Sequence, residues 1–231
     1  MIDLKFDKVL VVAAHPDDEV LGCGGTMARL AASGCEVHIV ILGEGLTSRG
    51  GAGDPAALEK LHNQGRQACD RVGGCGVRFC GLPDNKFDDT PLLNIVQLVE
   101  AELCEIKPQA VFTHHPGDLN IDHRITHQAV VTATRPTGTG PGQGVQLLCA
   151  FEVPSASEWA FSQFAPFRPN MFVDISTTLE TKIEALACYV GEQCAFPHPR
   201  SAEHLRALAQ MRGSSVGSTA AEAFELIRTF S

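Results

Sequence analysis

The chain has 231 residues, 44% of them hydrophobic, and a formal net charge of −9. This length allows one sizeable core, and we expect a single domain over residues 1–231. Lys and Arg are scattered, which disfavours nucleic-acid binding because such binding usually needs a basic face. No signal peptide is recognisable, and no run approaches the ~20 apolar residues of a membrane span. The nine cysteines lack CxxC spacing, which favours free thiols in a reducing cytoplasm over disulfides or a zinc–thiolate site.

Apolar runs and helical periodicity alternate along the chain. Strands are predicted at 9–14, 36–42, 77–80, 110–113, near 147–153 and near 171–175. Helices are predicted at 19–33, from Pro55 to about 72, at 91–106, from Asp122 to 133, near 178–190 and near 201–212. This alternation predicts right-handed βαβ units and an α/β fold with a mostly parallel, Rossmann-like sheet that has helices on both sides. The Gly-rich stretch 137–144 predicts a flexible loop that could serve as a lid.

A polar cluster follows the first predicted strand directly. His15, Asp17, Asp18 and Glu19 come just after the apolar run Val9–Ala14. Such groups are costly beside a core unless something compensates their charge, and ligands bind at the carboxyl ends of parallel strands. His15 and Asp18 are suitable zinc ligands. The first twenty residues therefore suggest a metallohydrolase.

A second polar cluster, residues 114–124, follows the strand predicted at 110–113. We expect Asp122 to cap the helix that begins there. His123 then lies in its first turn, with His127 one turn further on the same face. The two strand ends thus offer His15, Asp18 and a histidine to one cleft. Three protein ligands with an open fourth position are typical of catalytic zinc.

Both clusters together resemble the LmbE/PIG-L family of zinc-dependent de-N-acetylases. Residues 14–19, Ala-His-Pro-Asp-Asp-Glu, match the first family motif, and residues 120–123, Asn-Ile-Asp-His, match a form of the second. The resemblance implies zinc held by His15, Asp18 and His123, with His127 as the rival third ligand. It also implies that Asp17 is the general base that activates the attacking water. The implied reaction removes an N-acetyl group from an amino-sugar-containing small molecule and releases acetate.

Asn120 departs from the family pattern. Many members have a histidine there, assigned to oxyanion stabilisation or proton delivery. An asparagine can donate a hydrogen bond but cannot act as a general acid. We expect His198 to replace that histidine, with His127 as the next candidate; otherwise Asp17 alone serves.

Other residues are expected around the site. Arg49, Asp118 and Asn120 are predicted to contact substrate, although Arg49 could equally be a solvated loop charge. Asp122 and His127 are predicted to support the site from behind, with Asp122 fixing the His123 ring or the loop. Glu19 either orients a ligand or simply begins the helix. Trp159 is either a sugar-stacking platform or a packing residue.

Several alternatives stay open at this stage. Fe²⁺, Co²⁺ or Mn²⁺ could replace Zn²⁺. The chain could be a zinc amidase acting on a larger acyl or cysteinyl amide, or a non-catalytic metal- or sugar-binding protein. The presence of Asp17 argues against the binding protein, because holding a metal needs no spare carboxylate. The expected partner is a soluble N-acetylated sugar, and a homo-oligomer is common for enzymes of this size.

Overall fold

A computed structural model describes residues 5–47 and 54–230. Their strands form a seven-stranded sheet in the order β3-β2-β1-β4-β5-β7-β6. The strands are β1 (Lys8–Ala13), β2 (Glu36–Gly43), β3 (Gly76–Leu82), β4 (Ala110–His114), β5 (Leu147–Phe151), β6 (Met171–Asp174) and β7 (Ala221–Thr229). The helices are α1 (Asp18–Ala32), α2 (Pro55–Arg71), α3 (Leu92–Ile106), α4 (Ile121–Ala133), α5 (Leu179–Ala187) and α6 (Ala202–Ser214). The predicted α/β class is confirmed.

The sheet is mostly parallel, as predicted. β1 to β5 pair in parallel, whereas β7 runs antiparallel to both β5 and β6. The strand β7 is not among those predicted from the sequence. Its Ala, Glu and Leu residues favour helix by intrinsic propensity. Pairing on both sides and burial of residues 221–224 decide for strand instead.

Each face of the sheet carries its own core. Alternate β1 residues point to opposite faces, so Val9 and Val11 belong to a different apolar cluster from Leu10 and Val12. The first cluster includes residues of α1, α2, α5 and α6, and the second includes residues of α3 and α4. Helices therefore cover both faces, in agreement with the prediction.

The position of α1 depends on close backbone packing. A Cβ atom at Gly22 would lie 2.2 Å from Cδ2 of Phe151, so only glycine allows α1 to approach β5 this closely. The helix is also kinked at Cys23, whose φ and ψ are −146° and 25°. Glu222 accepts hydrogen bonds from the backbone of Gly25 and Thr26 just beyond the kink, at 3.0 and 2.7 Å. Gly22 therefore brings the backbone of α1 close to the sheet.

The carboxyl ends of β1 and β4 lie side by side. These strands pair in parallel, with Val9 opposite Ala110 and Val11 opposite Phe112. The segments that follow them, residues 14–17 and 115–120, therefore leave the same edge of the sheet. The Gly-rich loop 137–144 leads instead to the amino end of β5, where Gln146 N donates to Gln109 O at 2.7 Å. It lies at the opposite edge from the polar clusters, so the prediction of a lid there is wrong.

All nine cysteines are free thiols. Among residues 5–47 and 54–230, we find no helix with the length and apolar character needed to cross a membrane.

Candidate active site

The first corner of the site, residues 14–18, joins β1 to α1. Asp17 has φ 99° and ψ −27°, a left-handed conformation that is uncommon for any residue except glycine. Asp18 accepts a hydrogen bond from His15 N through Oδ2 at 2.9 Å. This tight turn places the His15, Asp17 and Asp18 side chains at the end of β1.

The second corner, residues 115–121, joins β4 to α4. Asn120 Oδ1 accepts a hydrogen bond from Asp122 N at 2.8 Å and caps the helix. The prediction that Asp122 is the cap is therefore wrong, because its side chain points into the protein and is fully buried. His123 lies in the first turn, as predicted.

Three predicted metal ligands converge between the two corners. His15 Nδ1 lies 3.3 Å from Asp18 Oδ2, and His123 Nε2 lies 3.2 Å from the same oxygen. One ligand atom from each of these residues lies within 4.8 Å of the other two. Asp18 Oδ1 is buried without a hydrogen-bond partner, a cost that a cation would remove. These residues therefore fit a metal ion with three protein ligands.

Carboxylates hold the far side of each imidazole. His15 Nε2 lies 3.0 Å from Asp122 Oδ2 and 3.1 Å from Asp84 Oδ1, and His123 Nδ1 lies 2.9 Å from Asp118 Oδ2. Metal-binding histidines are commonly oriented in this way. Asp122 thus supports His15 rather than His123. It also accepts from Asn85 N at 2.6 Å, so it fixes the turn after β3.

Asp118 is placed differently from the prediction of substrate contact. Its side chain is fully buried, and it accepts hydrogen bonds from His123 Nδ1 and from Ser157 Oγ. Its carboxylate orients His123 instead of facing the cavity. Asp84, in turn, is not among the residues predicted from the sequence. It lies in the turn Leu82–Asn85 at the end of the third parallel strand. Because ligands bind at the carboxyl ends of such strands, this position could have identified Asp84 as a site residue.

These carboxylates raise the pKa of both imidazoles. Burial lowers the pKa of His15, but hydrogen bonds with Asp122, Asp18 and Asp84 outweigh it and hold the value well above 6.5. Burial also lowers the pKa of His123, yet the Asp18 charge and the Asp118 hydrogen bond raise it to about 9. The His123 ring is therefore protonated at neutral pH in the metal-free protein, and a metal must displace a proton from it.

His127 does not join the ligand cluster. Its Nδ1 donates to the backbone oxygen of His114 at 2.8 Å. The His114 ring lies against the His123 ring with centroids 4.0 Å apart and an interplanar angle of 31°, and its Nε2 accepts from Ala14 N at 2.8 Å. Burial lowers the pKa of His114, so this ring stays neutral beside the cluster. His123 therefore lies in the cluster with His15 and Asp18, whereas His127 lies outside it and contacts the His114 backbone.

A polar cavity of about 130 Å³ opens in front of the cluster. Seven of its lining residues carry polar side chains: His15, Asp17, Asp84, Asn85, Asn120, Glu192 and Arg200. The others are Pro16, Gly45 and Leu61. Since the Asn120 cap uses Oδ1, the Nδ2 hydrogens are available to a bound molecule. Asp17 accepts from Arg200 Nη1 at 2.8 Å. Burial raises the pKa of Asp17 well above its usual value, and the Arg200 charge opposes this rise.

His198, which was predicted to be catalytic, does not line this cavity. His198 Nδ1 accepts from Arg200 N at 3.1 Å, and its ring packs edge-on against Trp159 with centroids 5.6 Å apart. This placement does not support proton delivery by His198. Arg49 lies outside the described residues. Arg200, which the sequence patterns did not single out, lies at the cavity instead.

The PIG-L family model, described as GlcNAc-PI de-N-acetylase, matches residues 10–134, more than half of the chain. The chain belongs to the PIG-L family. The match includes both corners and every proposed metal ligand. The resemblance inferred from the two motifs is thus confirmed.

Relatives of this PIG-L chain include two kinds of enzyme. It is 27% identical to the diacetylchitobiose deacetylase of Thermococcus kodakarensis over 194 residues, covering 80% of this chain and 70% of the relative. It is also 27% identical to the 4-oxalmesaconate hydratase of Pseudomonas putida over 202 residues, covering 80% and 73%. The fold is similar to the crystal structure of a conserved protein from Thermus thermophilus, with a TM-score of 0.77, 25% identity and coverage of 98% and 97%.

Proposed function

We propose that residues 1–231 form one metal-dependent deacetylase domain that hydrolyses the acetamide of an amino-sugar-containing small molecule. The products are acetate and a free amine. The observation that carries this proposal is that two adjacent carboxylates lie in different places. Asp18 lies among the ligand atoms, whereas Asp17 lines the cavity and contacts Arg200. A protein that only binds metal has no use for the second carboxylate.

His15, Asp18 and His123 would hold the metal. Two imidazoles and one carboxylate suit Zn²⁺, and they also allow Fe²⁺, Co²⁺ or Mn²⁺. A bound ion would supply a Lewis acid for the acetamide carbonyl and would lower the pKa of water. The carboxylates of Asp118, Asp122 and Asp84 would keep both imidazoles oriented toward it.

Asp17 and Asn120 would perform the proton transfer and the charge stabilisation. Asp17 accepts a proton from the attacking water and returns it to the leaving nitrogen as the C–N bond breaks. An amide side chain cannot exchange protons in this way. Asn120 instead donates a hydrogen bond from Nδ2 to the carbonyl oxygen as negative charge develops there. Proton delivery therefore falls to Asp17 alone, as one of the sequence-based alternatives held.

The cavity suits a hydroxylated and uncharged ring beside the acetamide. Asp84 and Glu192 carboxylates line it and can accept hydrogen bonds from sugar hydroxyls. The same carboxylates would repel a phosphate or carboxylate placed nearby. The nine free thiols support the predicted location in a reducing cytoplasm.

Hydration of an unsaturated carboxylate is the second candidate function, because one relative is named as a hydratase. Such a reaction also needs an activated water and a base. Asp84 and Glu192 in the cavity lining oppose this candidate because 4-oxalmesaconate is an anion, whereas Arg200 in the same lining favours it.

Incubation of the metal-loaded protein with a substrate panel tests the proposal. The panel contains free, glycosidic and nucleotide-linked N-acetylglucosamine, its 6-phosphate, an N-butanoyl analogue and an unsaturated dicarboxylate. We expect equal amounts of acetate and amine from a neutral N-acetyl sugar. Loss of the dicarboxylate's ultraviolet absorbance without acetate release would favour hydration. Faster cleavage of the N-butanoyl amide would favour the amidase alternative.

A further inference from the structure

Asp17 is anchored from behind through its backbone. Glu19 Oε2 accepts a hydrogen bond from Asp17 N at 3.1 Å, and the Tyr189 hydroxyl donates to Glu19 Oε1 at 2.5 Å. Both Glu19 and Tyr189 are buried. These contacts support the left-handed backbone of Asp17, but they do not determine where its carboxylate points.

Arg200 contacts that carboxylate from the cavity side. Its Nη1 donates to Asp17 Oδ2 at 2.8 Å and to Glu192 Oε2 at 3.1 Å. Its Nε donates to Ser155 Oγ at 2.9 Å. The guanidinium is thus held in one plane by groups from separate parts of the chain, and its side chain is 20% exposed. Such a rigid donor can fix the carboxylate it meets.

We propose that Arg200 is a positioning residue for the base Asp17. By engaging Oδ2, it directs the other oxygen, Oδ1, toward the place where the attacking water must sit. Arg200 does not itself touch the reacting atoms. The inference rests on the proposed deacetylase function, yet the position of the Asp17 carboxylate can be measured without any activity.

Variants at Arg200 test this role against a matched surface arginine. Arg200→Met removes the donors and keeps the chain length, and Arg200→Lys keeps the charge without the planar donor set. Arg206 also pairs with a carboxylate, Glu180, at 3.0 and 2.6 Å, but on the exposed face of α6. Arg206→Met is therefore the control, and we expect it to match the wild type in kcat and KM.

We expect Arg200→Met to lower kcat about 100-fold, because a displacement of about 1 Å in a catalytic group can have an effect of this size. KM should change by less than about threefold, with the wild-type metal content. Arg200→Lys should lose about tenfold in kcat. Crystal structures of the metal-loaded variants should show the Asp17 carboxylate rotated away from its wild-type position.

A raised KM with unchanged kcat would overturn the proposal, since it would make Arg200 a substrate-binding residue. Wild-type kcat in either variant, or an unmoved Asp17 in Arg200→Met, would also overturn it. If Arg200→Met does not fold, the kcat of Arg200→Lys decides. If the wild type releases no acetate, the deacetylase proposal fails, and the crystallographic position of Asp17 alone then tests the role of Arg200.

Discussion

The two corners of the site reach similar results by different means. Each follows one of two neighbouring parallel strands, and each supplies a histidine that a buried carboxylate holds from behind. The β4–α4 corner is set locally, because the Asn120 side chain caps its own helix at 2.8 Å. The β1–α1 corner has no side-chain cap and carries Asp17 in a left-handed conformation.

Distant residues complete the first corner. Arg200 and Tyr189 both lie in the C-terminal part of the chain. Arg200 fixes the Asp17 carboxylate, and Tyr189 fixes the Asp17 backbone through Glu19. Non-glycine residues in such conformations persist where the surrounding structure imposes them, and they cluster at functional sites. The local corner thus presents a proposed metal ligand and a capping group, while the strained corner presents the other two proposed ligands together with the proposed base.

Loss of a ligand from the local corner should have the largest effect. His123→Gln should reduce the bound metal from about one ion per chain to near zero, because two ligands rarely suffice for zinc. His127→Gln should retain the metal, since that ring contacts the His114 backbone instead. Metal analysis of both purified variants provides the comparison. Full metal content in His123→Gln would contradict our ligand assignment.

Asn120 offers a way to separate the cap from the chemistry. Serine is a strong helix cap, so Asn120→Ser should keep the melting temperature near that of the wild type. Because serine lacks the Nδ2 donor, kcat should fall about 10²- to 10³-fold. Steady-state kinetics and thermal unfolding test this pair of expectations. A wild-type kcat would remove Asn120 from the oxyanion role.

Substitution of the carboxylates behind the histidines should weaken metal binding less than loss of a ligand does, and by a similar factor at both corners. Asp118→Asn and Asp122→Asn should each weaken metal binding by about 10- to 100-fold. Asp70→Asn, a change at an exposed site on α2, is the control. Competition with a chelator measures the affinities. Equal affinity in all three variants would show that these hydrogen bonds do not support the ligands.

The pH dependence should be the mildest effect. Asp18 and Asp118 raise the pKa of His123 to about 9 from its ordinary value of 6.5. The proton on His123 therefore stabilises the metal-free fold fully below pH 6.5, and this contribution is lost as the pH rises through about 9. At neutral pH, metal binding should release protons. Calorimetric titration in buffers of different ionisation enthalpy measures this release, and a buffer-independent heat would contradict it.

Part of this site could be predicted from short sequence motifs. The two motifs predicted His15, Asp18 and His123 as ligands and Asp17 as base, and the structure brings these four residues together. The parallel orientation of the first five strands was also predictable, because strands and helices alternate along the chain. Each motif is a short polar segment that directly follows a strand, so its residues could be identified without knowledge of distant contacts.

Contacts between distant segments could not be predicted in the same way. Asp84 reaches His15 from the turn after β3, and Arg200 reaches Asp17 across 183 residues of sequence. The strand β7 forms against local helical propensity because β5 and β6 pair with it. Asp118 was assigned to the cavity on its polarity, and His198 was assigned as a replacement for the family histidine absent at Asn120. Packing directs their hydrogen bonds instead to His123 and to Arg200.

Comparison of the metal-loaded wild type with Asp17→Asn tests the central claim most directly, with acetate release from a neutral N-acetyl sugar and metal content measured on the same samples. We expect Asp17→Asn to keep its metal and to lose about 10²- to 10⁴-fold in kcat. Asp70→Asn should behave like the wild type. Equal acetate release by the wild type and Asp17→Asn would contradict the assignment of Asp17 as the base.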